Sequence, residues 1–389
     1  MSAPPPTMTD HSSAAASAPT DTTDYHSQPL FPNLPNDVAL QCLARVPRSH
    51  HPSLSLVCKS WRSIIRSPLL YSTRRSLNST ESFLYLNVRL LNPNSKDATP
   101  SFKWFVLDVS TATNNINHQN PNPEFLISVL QAPRQAIGAS IVALGPKVYV
   151  IGGSIDRNPT SDVWILNTES NEWEMGPKMQ VGREFSAAGV VNGKIYVIGG
   201  CVVNSRARSM NWAEVFDPIT SLWSAVPSPT VLRDGLMHAS AVVDGRIYGM
   251  ADRGGVVFDP SLEEWNPVSK RLDLGWRGRA AVVAGILYSY DFLGKIKGFD
   301  VVEDVWKELR GVEKDLPKFL SGATMTSIGG RLLVLWEGKG KGKEIEVLCA
   351  AIEIKKDDGG ELWGSIIWSD VILRVPMRSS IVHCLTVAV

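Results

Sequence analysis

Apolar positions recur along this chain in two rhythms. Near the N-terminus the spacing is helical. Val38, Leu40, Leu43 and Val46 share roughly one face of a helix, Asn36 and Asp37 stand where they can cap its free N–H groups, and Pro47 ends it. A second helical pattern carries Leu54, Leu56, Val57, Trp61, Ile64 and Ile65, and Pro68 closes it. From about residue 80 the rhythm is that of strands. The clearest unit, Val148-Tyr149-Val150-Ile151-Gly152-Gly153, returns as Ile195-Tyr196-Val197-Ile198-Gly199-Gly200. Weaker copies follow at Ile247-Tyr248-Gly249, Leu287-Tyr288-Ser289 and Leu332-Leu333-Val334-Leu335. Turn pairs such as Asn192-Gly193 and Asp244-Gly245 precede the copies and supply the positive φ angles that tight hairpins need. Strands ending in Trp173, Trp223, Trp265 and Trp306 follow them, the last three introduced by Phe216-Asp217, Phe258-Asp259 and Phe299-Asp300.

A unit of two strands, a Gly pair, two more strands and a Trp resembles the kelch repeat. That resemblance implies one four-stranded propeller blade per copy. The Tyr and Trp rings are then expected to pack between neighbouring blades. The ends supply a further blade: residues 83–90 and 102–108 are strand-like, and residues 380–389 begin a blade with nothing after it. Joining the two ends closes the ring and removes its exposed edges. Six blades are expected, with five as the alternative because the last two copies have lost the Gly pair.

The helical region resembles the F-box. The residues that carry the likeness are Leu34-Pro35, Asp37, Leu40, Leu43, Val46-Pro47, Val57-Cys58-Lys59-Ser60-Trp61-Arg62, Ile64, Ile65, Ser67 and Pro68. The resemblance implies docking on a Skp-type adaptor, and through it on a cullin and a RING subunit. The implied contact residues are Leu34, Pro35, Leu40, Leu43, Val46, Pro47, Val57, Cys58 and Trp61, although Cys58 and Trp61 serve equally well as internal core. The expected organisation is a disordered tail at 1–28, rich in Ser, Thr, Ala and Pro, an F-box at 29–75 and a propeller at 76–389. The fold class is mainly β with a small α-helical module in front. This order resembles the plant F-box/kelch family, whose members act as substrate adaptors of SCF-type ubiquitin ligases and perform no catalysis. The alternatives are a kelch scaffold outside any ligase, and a propeller oxidase.

Charge adds one point. The formal net charge is +1, so neither nucleic acid nor a membrane surface is an expected partner. Between residues 29 and 80, however, Arg45, Arg48, Lys59, Arg62, Arg66, Arg74 and Arg75 stand against Asp37 alone, a balance that favours an acidic partner. The 5 cysteines are scattered, with no C-x-x-C pair, which argues against a disulfide framework and a structural zinc site. With no signal peptide and no apolar run long enough to span a bilayer, an intracellular protein is expected, cytoplasmic or nuclear.

Candidate chemistry is sparse. Only His118, His238 and His383 follow the F-box, and no metal-binding spacing or nucleophile elbow occurs. The Gly-Lys run at residues 338–343 lacks the order of a phosphate loop and reads as a hairpin tip. Neither a metal nor a cofactor is expected. One pattern bears on target recognition: Arg134, Arg183, Arg233 and Lys318, with Arg277 and Arg279 in the remaining copy, precede the repeat aromatics at near-constant spacing. They are expected in the loops entering the innermost strands, as a ring of cations suited to an acidic or phosphorylated segment. The competing reading pairs each Arg with an acid of the next blade.

Overall fold

The computed structural model describes residues 29–91, 101–108, 126–128, 136–200, 211–229, 236–252, 254–291 and 294–389. Its helices depart from the expected outline in three places. α1 spans Asn36–Ala44, and its N-cap is Pro35, with no side-chain cap. Asn36 lies inside the helix, where its Oδ1 accepts from the Leu30 N–H at 2.9 Å. The second helical run is broken: a 3₁₀ turn, Arg48–His50, leads into α2, His51–Leu54, and α3 starts afresh at Lys59–Ile65. The break falls at Cys58, whose backbone is extended and whose Sγ accepts from the Trp61 N–H at 3.4 Å, capping α3. Pro68 opens α4, Pro68–Ser76, at the first helical position, where its missing N–H costs nothing.

Leu43, Ala44, Ile64, Ile65 and Leu70 form the core of this module, with Leu40 and Trp61 packed against it. Trp61 also holds the segment before α1. Its ring lies 4.7 Å from that of Phe31, and its Nε1 donates to the Leu30 carbonyl at 2.8 Å.

The remainder forms six four-stranded antiparallel blades. Blades 2 to 6 begin with the innermost strands Ser140–Leu144, Ala187–Val191, Met237–Val243, Ala280–Val283 and Ser321–Ile328 and run outward in chain order. Blade 1 is composite. The C-terminal strand Ser380–Ala388 is its innermost member and pairs with Ser82–Leu90, which pairs with Ser101–Asp108 and then Leu126–Ser128. Each innermost strand contacts the next, and the C-terminal strand contacts those of blades 6 and 2, so the ring closes as expected. Blades 5 and 6 are further joined through their outer strands, Val305–Arg310 and Leu362–Pro376, which pair in parallel at Leu309 and Leu362.

The repeat aromatics hold the seams. Tyr149 faces Phe216 across blades 2 and 3 at 6.0 Å, and Tyr196 faces Phe258 across blades 3 and 4 at 5.7 Å. The Trp indoles reach backward: Trp223 Nε1 donates to the Pro177 carbonyl at 2.9 Å, Trp265 Nε1 to Pro227 at 2.6 Å, and Trp306 Nε1 to Arg271 at 2.9 Å. The Gly pair seats the crossover between blades. Gly152 has φ +65°, and a Cβ there would lie 2.5 Å from the Arg183 carbonyl.

The helical module is fastened to the turn side of blades 1 and 2. Arg74, 1% exposed, donates to the carbonyls of Ala44 at 3.0 Å and Val46 at 2.7 Å and to the Glu81 carboxylate. Glu81 also accepts from the Arg48 N–H at 2.8 Å. The Arg48 guanidinium lies over Tyr71 and Phe83, at 5.8 Å and 5.4 Å, and donates to the Thr168 carbonyl. Arg75 pairs with Glu169. The strand Ser140–Leu144 runs toward this turn, so the module sits at the opposite end of blade 2 from residues 137–140.

His51 is 5% exposed inside the module. Burial, and then the nearby Arg74 charge, push its imidazole down to about 4. The unfolded chain therefore binds a proton that the folded one refuses as pH falls from about 6.5 toward about 4, and stability is lost over that window. We expect His51 to contribute roughly 2 kcal/mol to the destabilisation on moving from pH 7 to pH 5. Urea titrations at both pH values should show the penalty shrinking by that amount in His51→Gln; an unchanged penalty would refute the assignment.

Candidate functional site

Two surfaces stand out, one on the helical module and one at the centre of the propeller. On the module, Leu56 is 76% exposed, Val57 61%, Leu69 52% and Val38 39%. These four are the large apolar side chains that the module leaves exposed, two of them adjacent in sequence. Of the nine residues expected at the adaptor interface, Pro35, Pro47 and Val57 are exposed. Leu34, Leu40, Val46, Cys58 and Trp61 are half-buried. Leu43 lies in the core, and Cys58 and Trp61 make the internal bonds described above. Leu56, Leu69 and Val38 were not foreseen as contacts. Their signal was present: apolar side chains in a helical pattern that fall off the buried face.

The surplus positive charge of the module is partly consumed by its own fold. Arg74 pairs with Glu81 and Arg75 with Glu169, and the Arg48 guanidinium is held by the Thr168 carbonyl and the Tyr71 and Phe83 rings. Arg45, Lys59, Arg62 and Arg66 remain exposed.

The expected ring of cations does not form as drawn. Arg134 and Arg233 lie outside the described residues. Arg183, the best-placed candidate, is fully buried. It donates to the carbonyls of Gly199 at 2.8 Å and Trp212 at 2.7 Å and pairs with Glu214 Oε1 at 2.7 Å. Glu214, equally buried, accepts in turn from the N–H groups of Gln180 and Val181. Arg183 thus orders the crossover into blade 3 and does not face a target; the local-pairing reading holds here, with the acid supplied by the blade being entered. Lys318 is exposed and lies 5.7 Å over the Phe319 ring. Arg277 and Arg279 are half-buried, and Arg279 lines the central channel.

That channel opens at the end of the ring away from the helical module, into a cavity of about 430 Å³. Inner strands of all six blades contribute to it, and Ile137 (49% exposed) and Phe185 (41%) stand at its rim. Phe185 has φ +50°, a conformation that is costly for an aromatic residue. Two backbone bonds hold it there: its N–H donates to the Gly138 carbonyl at 2.7 Å, and its own carbonyl accepts from the Met237 N–H at 2.7 Å. Deeper in, burial and then the Arg279 charge hold the His383 imidazole down to about 3, so it is neutral at pH 7. Among the described residues no group of three or more His, Cys, Asp or Glu converges as metal ligands, and no helix is long and apolar enough to cross a membrane.

Comparison with known families decides the reading of these parts. Residues 31–73 match the F-box domain and residues 104–373 match the FKB95, Kelch-repeats domain. The chain belongs to the F-box/kelch-repeat family. The Arabidopsis thaliana F-box/kelch-repeat protein At4g39550 is 38% identical over 376 residues, covering 91% of this chain and 93% of that protein. Two further Arabidopsis thaliana members, At4g39590 and At4g39580, are 34% and 35% identical and cover 90% and 92% of this chain and 88% and 93% of their own lengths. An F-box implies a Skp-type adaptor as partner, and F-box/kelch proteins are in general non-enzymatic adaptors.

Proposed function

We propose that this protein is the substrate-recognition subunit of an SCF-type ubiquitin ligase. The F-box docks a Skp-type adaptor, and through it a cullin and RING subunit, while the kelch propeller holds a target protein for ubiquitination and degradation. No residue of this chain performs covalent chemistry. Its contribution is positional, raising the effective concentration of target lysines near the conjugating enzyme. Such a role belongs in the cytoplasm or nucleus.

The observation that carries this reading is the arrangement of the two surfaces. The F-box is bound by ion pairs and buried rings to the turn side of blades 1 and 2, with Leu56, Val57 and Leu69 still in water. The channel mouth opens on the other side. A target on the mouth therefore leaves the F-box free, and adaptor and target can bind together. Mixing the purified full chain with an acidic Skp-type adaptor should give a one-to-one complex on size-exclusion chromatography with light scattering. A folded chain that remains a monomer beside excess adaptor would sink the proposal and leave a ligase-free kelch scaffold in its place.

A further inference from the structure

The central cavity has an unusual charge inventory. Among the described residues its wall contains Arg89, Arg279, His238 and His383, and no Asp or Glu. Arg89 Nε and Arg279 Nη1 are buried without a hydrogen-bond partner, and among the described residues no carboxylate pairs with either side chain. Asn87, 6% exposed on the same wall, has its Oδ1 equally unpartnered. Both arginine side chains are half-buried, and the nitrogens taken out of water without a partner are expensive to leave so. Arg74 Nε is unpartnered as well, but the fully buried Arg74 and Arg183 each have a carboxylate and backbone carbonyls. Arg89 and Arg279, which have neither among the described residues, both line one open cavity whose remaining wall includes Ala136, Gly138, Ala239 and Ala280.

We propose that this cavity is an oxyanion site, receiving a single carboxylate or phosphate group with Arg279 and Arg89 as its counter-charges. Charge-assisted bonds from two guanidinium groups supply the affinity. Asn87 Oδ1 accepts from a hydroxyl or protonated oxygen carried by the same ligand, which favours a hydroxy acid or hydrogen phosphate over a bare carboxylate. The neutral His383 ring adds a donor or an acceptor according to its tautomer. Ligands of this chemistry have two sources: a free small anion, or an acidic or phosphorylated side chain of a bound protein. In the second case the residues flanking it lie on Ile137 and Phe185. That version rests on the adaptor reading and names its target chemistry, whereas anion binding by the cavity needs neither the F-box nor an adaptor.

The test uses the full chain alone at fixed ionic strength. Isothermal titration with malate, inorganic phosphate and, as a neutral control, malamide should give saturable binding of the first two only. Arg279→Met should weaken that binding by at least about tenfold, and Arg279→Lys, which keeps the charge but not the fork, by less. Because Arg279→Met removes a half-buried charge that no carboxylate among the described residues offsets, its thermal midpoint without anion should equal or exceed the wild-type value; Arg89→Met serves as the second variant if it does not fold. Selection from a displayed random-peptide library then separates the sources. Enrichment of Asp, Glu or phosphoserine mimics that disappears with Arg279→Met assigns the site to a protein side chain, and tight binding of malate or phosphate without such enrichment assigns it to a free anion. Absence of both, or binding untouched by Arg279→Met and Arg89→Met, overturns the proposal. Since no adaptor is present, that failure leaves the ligase reading to its own test.

Discussion

Glu214→Ala is expected to destabilise the propeller by about 3–5 kcal/mol, among the largest losses available from a single polar substitution. Glu214 and Arg183 are both fully buried, and their carboxylate and guanidinium meet at 2.7 Å. Removing the acid strands the Arg183 charge beneath the crossover of residues 176–186 and frees the N–H groups of Gln180 and Val181 that Glu214 now accepts from. Removing both charges with apolar side chains of similar size is a different matter, because a buried ion pair gains little over well-packed hydrophobic residues. Arg183→Met combined with Glu214→Leu should therefore recover most of the loss suffered by either single variant. Urea unfolding of the wild type, both singles and the double closes the cycle. Single variants costing under about 1 kcal/mol, or a double no better than the sum of the singles, would show that the pair is not the uncompensated buried unit described.

The same pair shows where sequence reasoning stops. The spacing of Arg183 before the repeat aromatics was regular and correctly located it in the crossover between blades. Whether it turns outward to a ligand or inward to an acid depends on Glu214, 31 residues away on a strand of the blade being entered. No local pattern encodes that pairing. The seams were legible for the opposite reason. Tyr149, Tyr196, Trp223 and Trp265 repeat with the blade, and a ring repeated at one position of a strand has one place to go when blades stack. Ring closure was legible too, because strand-like ends without partners are costly unless they meet.

The helical module was legible in outline and misread at its joints. Its apolar spacing marked α1 and α3, but Cys58 capping α3 and Pro68 opening α4 are backbone decisions, and both residues also fit a single longer helix followed by a stop. Asn87 and Arg89, the core of the proposed oxyanion site, drew no notice. They lie on the Ser82–Leu90 strand of the composite blade, which carries Tyr85 but not the Gly pair that marks the clearest copies. Only the closed ring brings them to the cavity that Arg279 also lines.

The second large effect is expected at the F-box. Leu56→Asp with Val57→Asp should lower affinity for a Skp-type adaptor by two orders of magnitude or more, since burying apolar anchors at an interface contributes about 2 kcal/mol or more per residue. Stability should hardly change: both side chains are largely in water, and surface substitutions of this kind lie within about 0.5 kcal/mol. Leu43→Ala should behave in reverse. Leu43 is 2% exposed in the module core, so the substitution removes buried volume and costs about 2–5 kcal/mol. It should weaken adaptor binding only to the extent that the module unfolds. A Leu56→Ser, Val57→Ser variant separates lost apolar contact from added negative charge, which by itself would repel an acidic adaptor. If the serine variant binds like wild type and Leu43→Ala loses affinity while still folded, the adaptor must read the module through a face now closed, and docking would have to open it. If affinity instead follows the exposed positions, the division of labour is set by burial: Leu43, Cys58 and Trp61 hold the module together, and Leu56 and Val57 offer it to its partner.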